Sequence, residues 1–354
     1  MTNYGINRVK DSKKQWKAGA ETGITYKENL PTGDWTPYLP KDEKQSGDID
    51  ALGCVSFSAL NCIETQLKYL LESGKVPQST IDWLKDSGYY DGLEVNFSDR
   101  ALAKMSGTQT MHGNWPPNVW EAARVNGLLP EKDWLSDFSS YENYYAEIPA
   151  VLQVKAKEFL KYFSIKYQWI IVGQQADDSG VKDAIGLFLK QSPLQTCSPV
   201  CPSWFSPLVI PCGKRNADHA TMIYRIVKDV AIYIFDHYSV FRKVLSYLYP
   251  TDFVMQGIIE PIVATETVVP HYFLNTDLRY GNRNEEVKWL QEELIYLGLL
   301  KSGLNTGYYG NLTAEAVKKF LIKYKVTSLF WINLNCGKFV GKLTRTKLNQ
   351  IFAA

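Results

Sequence analysis

The stretch Asp50–Glu64, DALGCVSFSALNCIE, sets a cysteine at position 54 directly ahead of a run of small and apolar residues. From Cys54 onward, Val55, Phe57, Leu60, Ile63, Leu67, Leu70 and Leu71 follow a helical stripe, which predicts a helix of about five turns beginning at the cysteine. Two cysteines share that helix. Positions 54 and 62 lie about 12 Å apart along its axis, beyond the reach of a disulfide, so the two thiols need separate explanations. Cys62, two turns in, reads as core. Cys54, on the first turn, sits where the helix N-terminus favours a thiolate.

A thiol is a poor nucleophile until ionised, and acyl transfer by cysteine needs a histidine and a group that orients its ring. The histidines are His112, His219, His237 and His271. His219, in NADHATMIYRI, heads a strand-like run, and Asp236, in IYIFDHYS, closes the next one. A hairpin between the runs brings the two side chains together, which makes Cys54, His219 and Asp236 the candidate catalytic set. A competing reading gathers Cys197, Cys201 and Cys212 with His219 or His237 into a zinc site. Metal at His219 would remove it as a base.

Around these residues the chain divides by texture. The first 40 residues or so are polar and turn-rich and read as an extended lead-in. Helices are expected at 98–105 with Ser98 as cap, at 117–126 ending before Gly127, and at 150–163 and 180–191, so the N-terminal half is mainly helical. After Pro211 the composition turns to Val, Ile, Tyr and Phe, broken at Lys228-Asp229 and at 236–239, as in antiparallel strands. Helices first and strands later predict an α+β domain of two packed halves. A boundary falls near 263–272, giving domains 1–40, 41–265 and 266–354.

The run CVSFSA from Cys54 to Ala59 resembles the C-W-A-F-S-A motif of the papain-like (C1) cysteine peptidases. DHATMIYRI resembles that family's H-A-V strand, IFDHYS its K-N-S-W-G strand, and the segment from FSDRALAKMSG to GLLPEKDW the stretch between helix and histidine. The resemblance covers roughly residues 35–262. It implies a two-lobed fold, a helical left lobe against an antiparallel β right lobe. Hydrolysis would proceed through a thioester, with Cys54 as nucleophile, His219 as general base and Asp236 where the family has Asn. The same resemblance implies that Gly113, Asn114 and Trp115 line the substrate cleft. The oxyanion glutamine of the family falls six residues before the cysteine, where this chain has Asp48; Gln45 is the better candidate, with the Cys54 N–H as the second donor.

The tail repeats a different scheme. Val287, Leu290, Leu294 and Leu297 share one helical face, and LTAEAVKKFLIK follows with Thr313 as the expected cap. The patterns from Gly281 to Gly298 and from Thr306 to Phe320, closing on VGKLTRTKL, resemble the small all-α, three-helix peptidoglycan-binding domain, with an apolar insertion at 328–336. That resemblance implies a bacterial cell wall as partner, and Tyr308 and Tyr309 as rings that stack on glycan or peptide.

Bulk properties are consistent with this reading. A net charge of +2 over 354 residues offers no electrostatic case for nucleic acid. No apolar run approaches the roughly 20 residues that span a bilayer, and the first residues carry no secretory pattern. The six cysteines are therefore not expected to form a disulfide framework. The expectation is an enzyme without cofactor or resident metal, made in the cytoplasm and reaching a wall by lysis or carriage in a virion, where it cleaves peptide or peptidoglycan as a lysin does. The alternatives are a peptidase acting on protein, and a non-catalytic virion or structural protein of the same fold whose tail serves assembly.

Overall fold

The computed structural model describes residues 23–108, 110, 112–172, 179–213, 216–262, 272–301 and 303–352. Its helices in the first part are α1 (Cys54–Glu72), α2 (Gln78–Ser87), α3 (Asp99–Met105), α4 (Pro116–Asn126), α5 (Tyr141–Tyr144), α6 (Ala150–Glu158) and α7 (Ser179–Leu189). The strands are β1 (Phe163–Val172), β2 (Leu194–Ser198), β3 (Leu208–Val209), β4 (His219–Val227), β5 (Ala231–Phe235), β6 (Arg242–Ser246) and β7 (Phe253–Pro261). Contacts divide the chain into two units, Met1–Val263 and Ala264–Ala354. The expected boundary at 265/266 and the first 22 residues of the lead-in lie outside the described residues.

Local chemistry accounts for the helix starts. Ser98 caps α3 by accepting the Ala101 N–H at 3.2 Å, and Pro116, which has no N–H to leave unpaired, opens α4. The helix expected over 150–163 ends earlier. After Glu158 a 3-10 turn runs to Lys161, and Phe163 begins β1, whose Phe163, Ile165, Tyr167, Trp169 and Ile171 alternate inward at strand period. This strand was not expected in the helical half.

The seven strands form one sheet in the order β1-β7-β2-β4-β5-β6-β3, antiparallel except where β3 meets β6. The connection between β4 and β5 is the expected turn at Lys228-Asp229, where Asp229 takes a left-handed φ of 60°. Helix α1 lies across the sheet against β4 and β7, with Leu60, Ile63 and Leu67 fully buried. Its first turn is braced from α4 through the sheet. Trp120 Nε1 donates to Gln195 Oε1 at 2.8 Å, and Gln195 Nε2 donates to the Val55 carbonyl and to Ser58 Oγ at 2.8 and 2.7 Å. Trp120 fits because β7 carries Gly257 beneath it, where a Cβ would stand 2.0 Å from the ring.

The second unit contains β8 (Leu278–Arg279), α8 (Glu285–Tyr296), α9 (Asn311–Lys323), α10 (Leu329–Asn335), β9 (Phe339–Val340) and α11 (Lys342–Phe352). Helices α8, α9 and α11 are the expected three; the 328–336 stretch adds α10, and β8 pairs with β9. Thr313 is not a cap. It is the third residue of α9, which starts behind Gly310, and its hydroxyl accepts from Gln291 Nε2 at 2.8 Å. Gln291 also donates to the Tyr308 carbonyl and accepts the Gly307 N–H, so this one amide fixes the Thr306–Gly310 turn.

Glu293 of α8 is fully buried, and neither carboxyl oxygen has a hydrogen-bond partner among the described residues. Burial pushes its carboxyl up to about 8. The folded unit therefore prefers the protonated acid. Stability is complete below the ordinary glutamate value and is lost as pH rises through about 8. Glu293→Met is expected to stabilise this unit by on the order of 2 kcal/mol more at pH 8 than near pH 4. Calorimetry at the two pH values checks this; a gain independent of pH would contradict it.

Candidate active site

Cys54 is the first residue of α1, and His219 is the first of β4, opposite Ser198 in the β2–β4 register. The two elements are packed together, and the backbone of the next residue, Ala220, hydrogen-bonds Cys54. Asp236 follows β5, and the hairpin returns it to His219, with Nε2 2.6 Å from Oδ1. All three side chains are fully buried.

The Asp236 carboxylate is held from every side. Oδ1 also accepts the His237 N–H at 2.7 Å, and Oδ2 accepts Trp204 Nε1 at 2.8 Å and the Lys243 ammonium. Burial would raise its carboxyl, but the imidazole of His219 and the charge of Lys243 outweigh burial and hold it well below the usual range. Trp204 stands edge-on to the His219 ring with centroids 5.5 Å apart. His237 is pulled down by burial to about 3 and is therefore neutral, its ring 5.2 Å from Phe57 and 6.0 Å from His219.

Cys54 differs from expectation in its electrostatics. Burial pushes its thiol well above the ordinary value, the Ala220 hydrogen bond opposes this, and the charges of Cys197, Asp50 and Asp236 push it further up.

Gln45 lies at the site, fully buried, with its N–H bonded to the His237 carbonyl at 3.4 Å. Its side-chain amide is not free to donate, however. Nε2 gives one hydrogen to Asp50 Oδ1 at 3.0 Å and the other to the Tyr238 hydroxyl at 2.7 Å, and Tyr238 in turn donates to Asp50 Oδ2. Rotating the amide would set its oxygen against the Asp50 carboxylate, so this orientation is the favoured one. Asp48, the other candidate, is exposed.

The expected cleft residues are mostly interior. Asn114 Nδ2 donates to Ser106 Oγ and Thr108 Oγ1 at 2.8 and 3.0 Å, and Trp115 packs between Trp169 and Phe253. Both side chains hold the loop ahead of α4, and Gly113, with φ of 73°, offers backbone alone. In the second unit Tyr309 is fully buried and donates to the Gly337 carbonyl at 2.6 Å, so its ring cannot stack on a ligand. Tyr308 is 39% exposed beneath Arg283.

Cys201 and Cys212 are joined in a disulfide, where no disulfide framework was expected. The alternative zinc set thereby loses two of its three thiols, and no cluster of metal-binding side chains occurs among the described residues. Cys62 remains a buried thiol in the core. The sequence reading also missed Trp204 and Lys243. Lys243 left a trace: in FRKVLS it shares the inward phase with Leu245, where a strand facing a core is not expected to carry a charge. Trp204, in a Pro-rich loop, left none.

A seven-stranded sheet with a cysteine-headed helix packed against a histidine-bearing strand gives the first unit a papain-like fold. It is similar to xylellain, a cysteine protease from Xylella fastidiosa, at 15% identity and a TM-score of 0.50, over 74% of this chain and 97% of that one. Digestive procathepsin L 3 of Tenebrio molitor larval midgut aligns at 13% identity and a TM-score of 0.46, over 74% and 77% of the two chains. Residues 283–320 match the family described as "Putative peptidoglycan binding domain". No curated protein matches the chain by sequence.

Proposed function

We propose that this chain is a cysteine endopeptidase that uses Cys54, His219 and Asp236, and that its C-terminal domain directs it to bacterial cell wall, reached by lysis or in a particle. The observation that carries the reading is the buried His219–Asp236 pair at the head of β4, one residue from the backbone that bonds Cys54. Asp236 occupies Nε2, so Nδ1 is the nitrogen that exchanges protons. The Cys54 Sγ proton passes to Nδ1 as sulfur bonds to the carbonyl carbon of the substrate. The resulting oxyanion takes the Cys54 N–H, one of the helix N–H groups without an intrahelical partner, and the Gln45 amide once it has let go of Asp50 or Tyr238. The C–N bond breaks, the amine leaves with the proton from His219, and a thioester remains. Water, deprotonated by His219, then cleaves the C–S bond and releases the acid while the proton returns to sulfur. Cys54 and His219 have no exposed surface, so a peptide reaches Sγ only once the site opens.

Purified peptidoglycan and casein, each incubated with wild type and Cys54→Ala, test the reading. Release of peptide fragments from peptidoglycan by the wild type alone supports it; cleavage of neither substrate contradicts the enzyme. Retention of the full chain on cell walls should also fall severalfold when Tyr308 is replaced by Ala. A second reading, a peptidase whose tail docks on protein, is favoured by α10, where Leu329, Phe330, Trp331 and Leu334 are all more than half exposed. Casein cleavage without wall retention would select it.

A further inference from the structure

A lone carboxylate in a dry site is costly, and beside an imidazole it does more than orient the ring. Its full charge tightens the hold of the ring on its proton, which hinders delivery of that proton to a leaving amine. A neutral acceptor orients the ring without this effect. Asp236 is charged and has no exposed surface, yet it does not stand alone. The equally buried Lys243 reaches Oδ2 from β6, two strands from His219, and also donates to the Tyr238 carbonyl at 2.9 Å.

We propose that Lys243 is a positioning residue for His219: its ammonium cancels the charge of Asp236, so the pair meets the imidazole as a fixed and nearly neutral acceptor. The inference rests on the peptidase reading above. Each oxygen of Asp236 has two donors, His219 and the His237 N–H on Oδ1, Trp204 and Lys243 on Oδ2, so the carboxylate cannot turn. The second contact of Lys243, to the Tyr238 carbonyl, ties down the turn that carries Asp236. The other charged or titratable groups at the site are Cys54 on α1, Asp50 before it, Cys197 on β2, and His237 and Tyr238 in the turn itself. Among the described residues at the site, Lys243 is the cation that meets Asp236, and His237 is neutral.

The test compares Lys243→Met, Asp236→Asn and the double variant by kcat/KM against pH, with folding followed by thermal unfolding. Lys243→Met strands the carboxylate charge. Cleavage should fall about 10²-fold, and the acid limb of the profile should move up by about one pH unit, because His219 must shed its proton before it can take that of Cys54. Asp236→Asn strands the ammonium and should fall comparably. The double variant restores a neutral acceptor and should exceed either single variant at least tenfold. Additive losses with an unmoved limb would mean a merely structural lysine and overturn the proposal. If Lys243→Met does not fold, the double variant against Asp236→Asn decides: higher activity supports the proposal, equal or lower activity overturns it. Proton NMR titration of His219 in the same proteins needs no substrate. A chain that cleaves nothing but titrates higher in Lys243→Met sinks the peptidase reading and keeps the role of the lysine; an unmoved titration overturns that role.

Discussion

Cys54→Ala is expected to lower kcat/KM on the cleaved substrate by about 10⁴-fold or more while leaving the fold intact. The loss is large because no other group supplies the sulfur that forms the thioester. Structure should survive because, apart from the Ala220 contact, what holds the first turn of α1 does not involve the thiol. Ser58 Oγ donates to the Cys54 carbonyl at 2.7 Å, and Gln195 holds Val55 and Ser58. Cys62→Ala is the matching control: a buried core thiol two turns away, whose removal should cost about 1 kcal/mol of stability and no cleavage. Michaelis parameters and unfolding midpoints of both variants check the pair. Equal losses of activity would assign Cys54 to the core as well.

Gly257→Ala is expected to destabilise the first unit by about 3 kcal/mol and to lower kcat with it. Its Cβ would stand 2.0 and 2.2 Å from two carbons of the Trp120 ring. Neither side can yield easily. Strand β7 is paired on both flanks, with β1 and β2, and the Gly257 carbonyl accepts Gln66 Nε2 at 3.0 Å. Trp120 is fully buried and tied by Nε1 to Gln195. If the ring shifts, Gln195 shifts with it and loosens the turn that begins at Cys54, so a packing change about three elements away reaches the chemistry. Thermal unfolding and kcat together test this; a stable variant with reduced kcat, or a destabilised one with normal kcat, would break the proposed link.

What could be read from sequence follows from the range of each signal. The α1 helix, the β4–β5 hairpin and helices α8 and α9 of the second unit rest on local periodicity and turn residues, and they stand where expected. The His219–Asp236 contact was legible for the same reason, since a hairpin fixes which residues face each other. Strand β1 was missed because its partner is β7, almost 90 residues on, and a short aromatic run beside a helix carries no sign of that pairing. The positions read from resemblance alone fared differently. Asn114, Trp115 and Tyr309 have the residue types of a binding surface, but aromatic and amide side chains serve a core equally well once their polar atoms find partners. The Gln45 amide is engaged because Asp50 and Tyr238, distant in sequence from each other, converge on it. Likewise the thiol of Cys54 is raised by burial, which the composition of one helix does not disclose.

If His219 activates Cys54, a thiol-reactive peptidyl inhibitor finds it, and mass spectrometry locates the adduct. The exposed Cys336 is first replaced by Ser so that it does not compete. A single adduct is expected on Cys54, formed far faster than any on Cys62 and lost in His219→Ala. Labelling of Cys54 no faster than Cys62, or unchanged without His219, would contradict it.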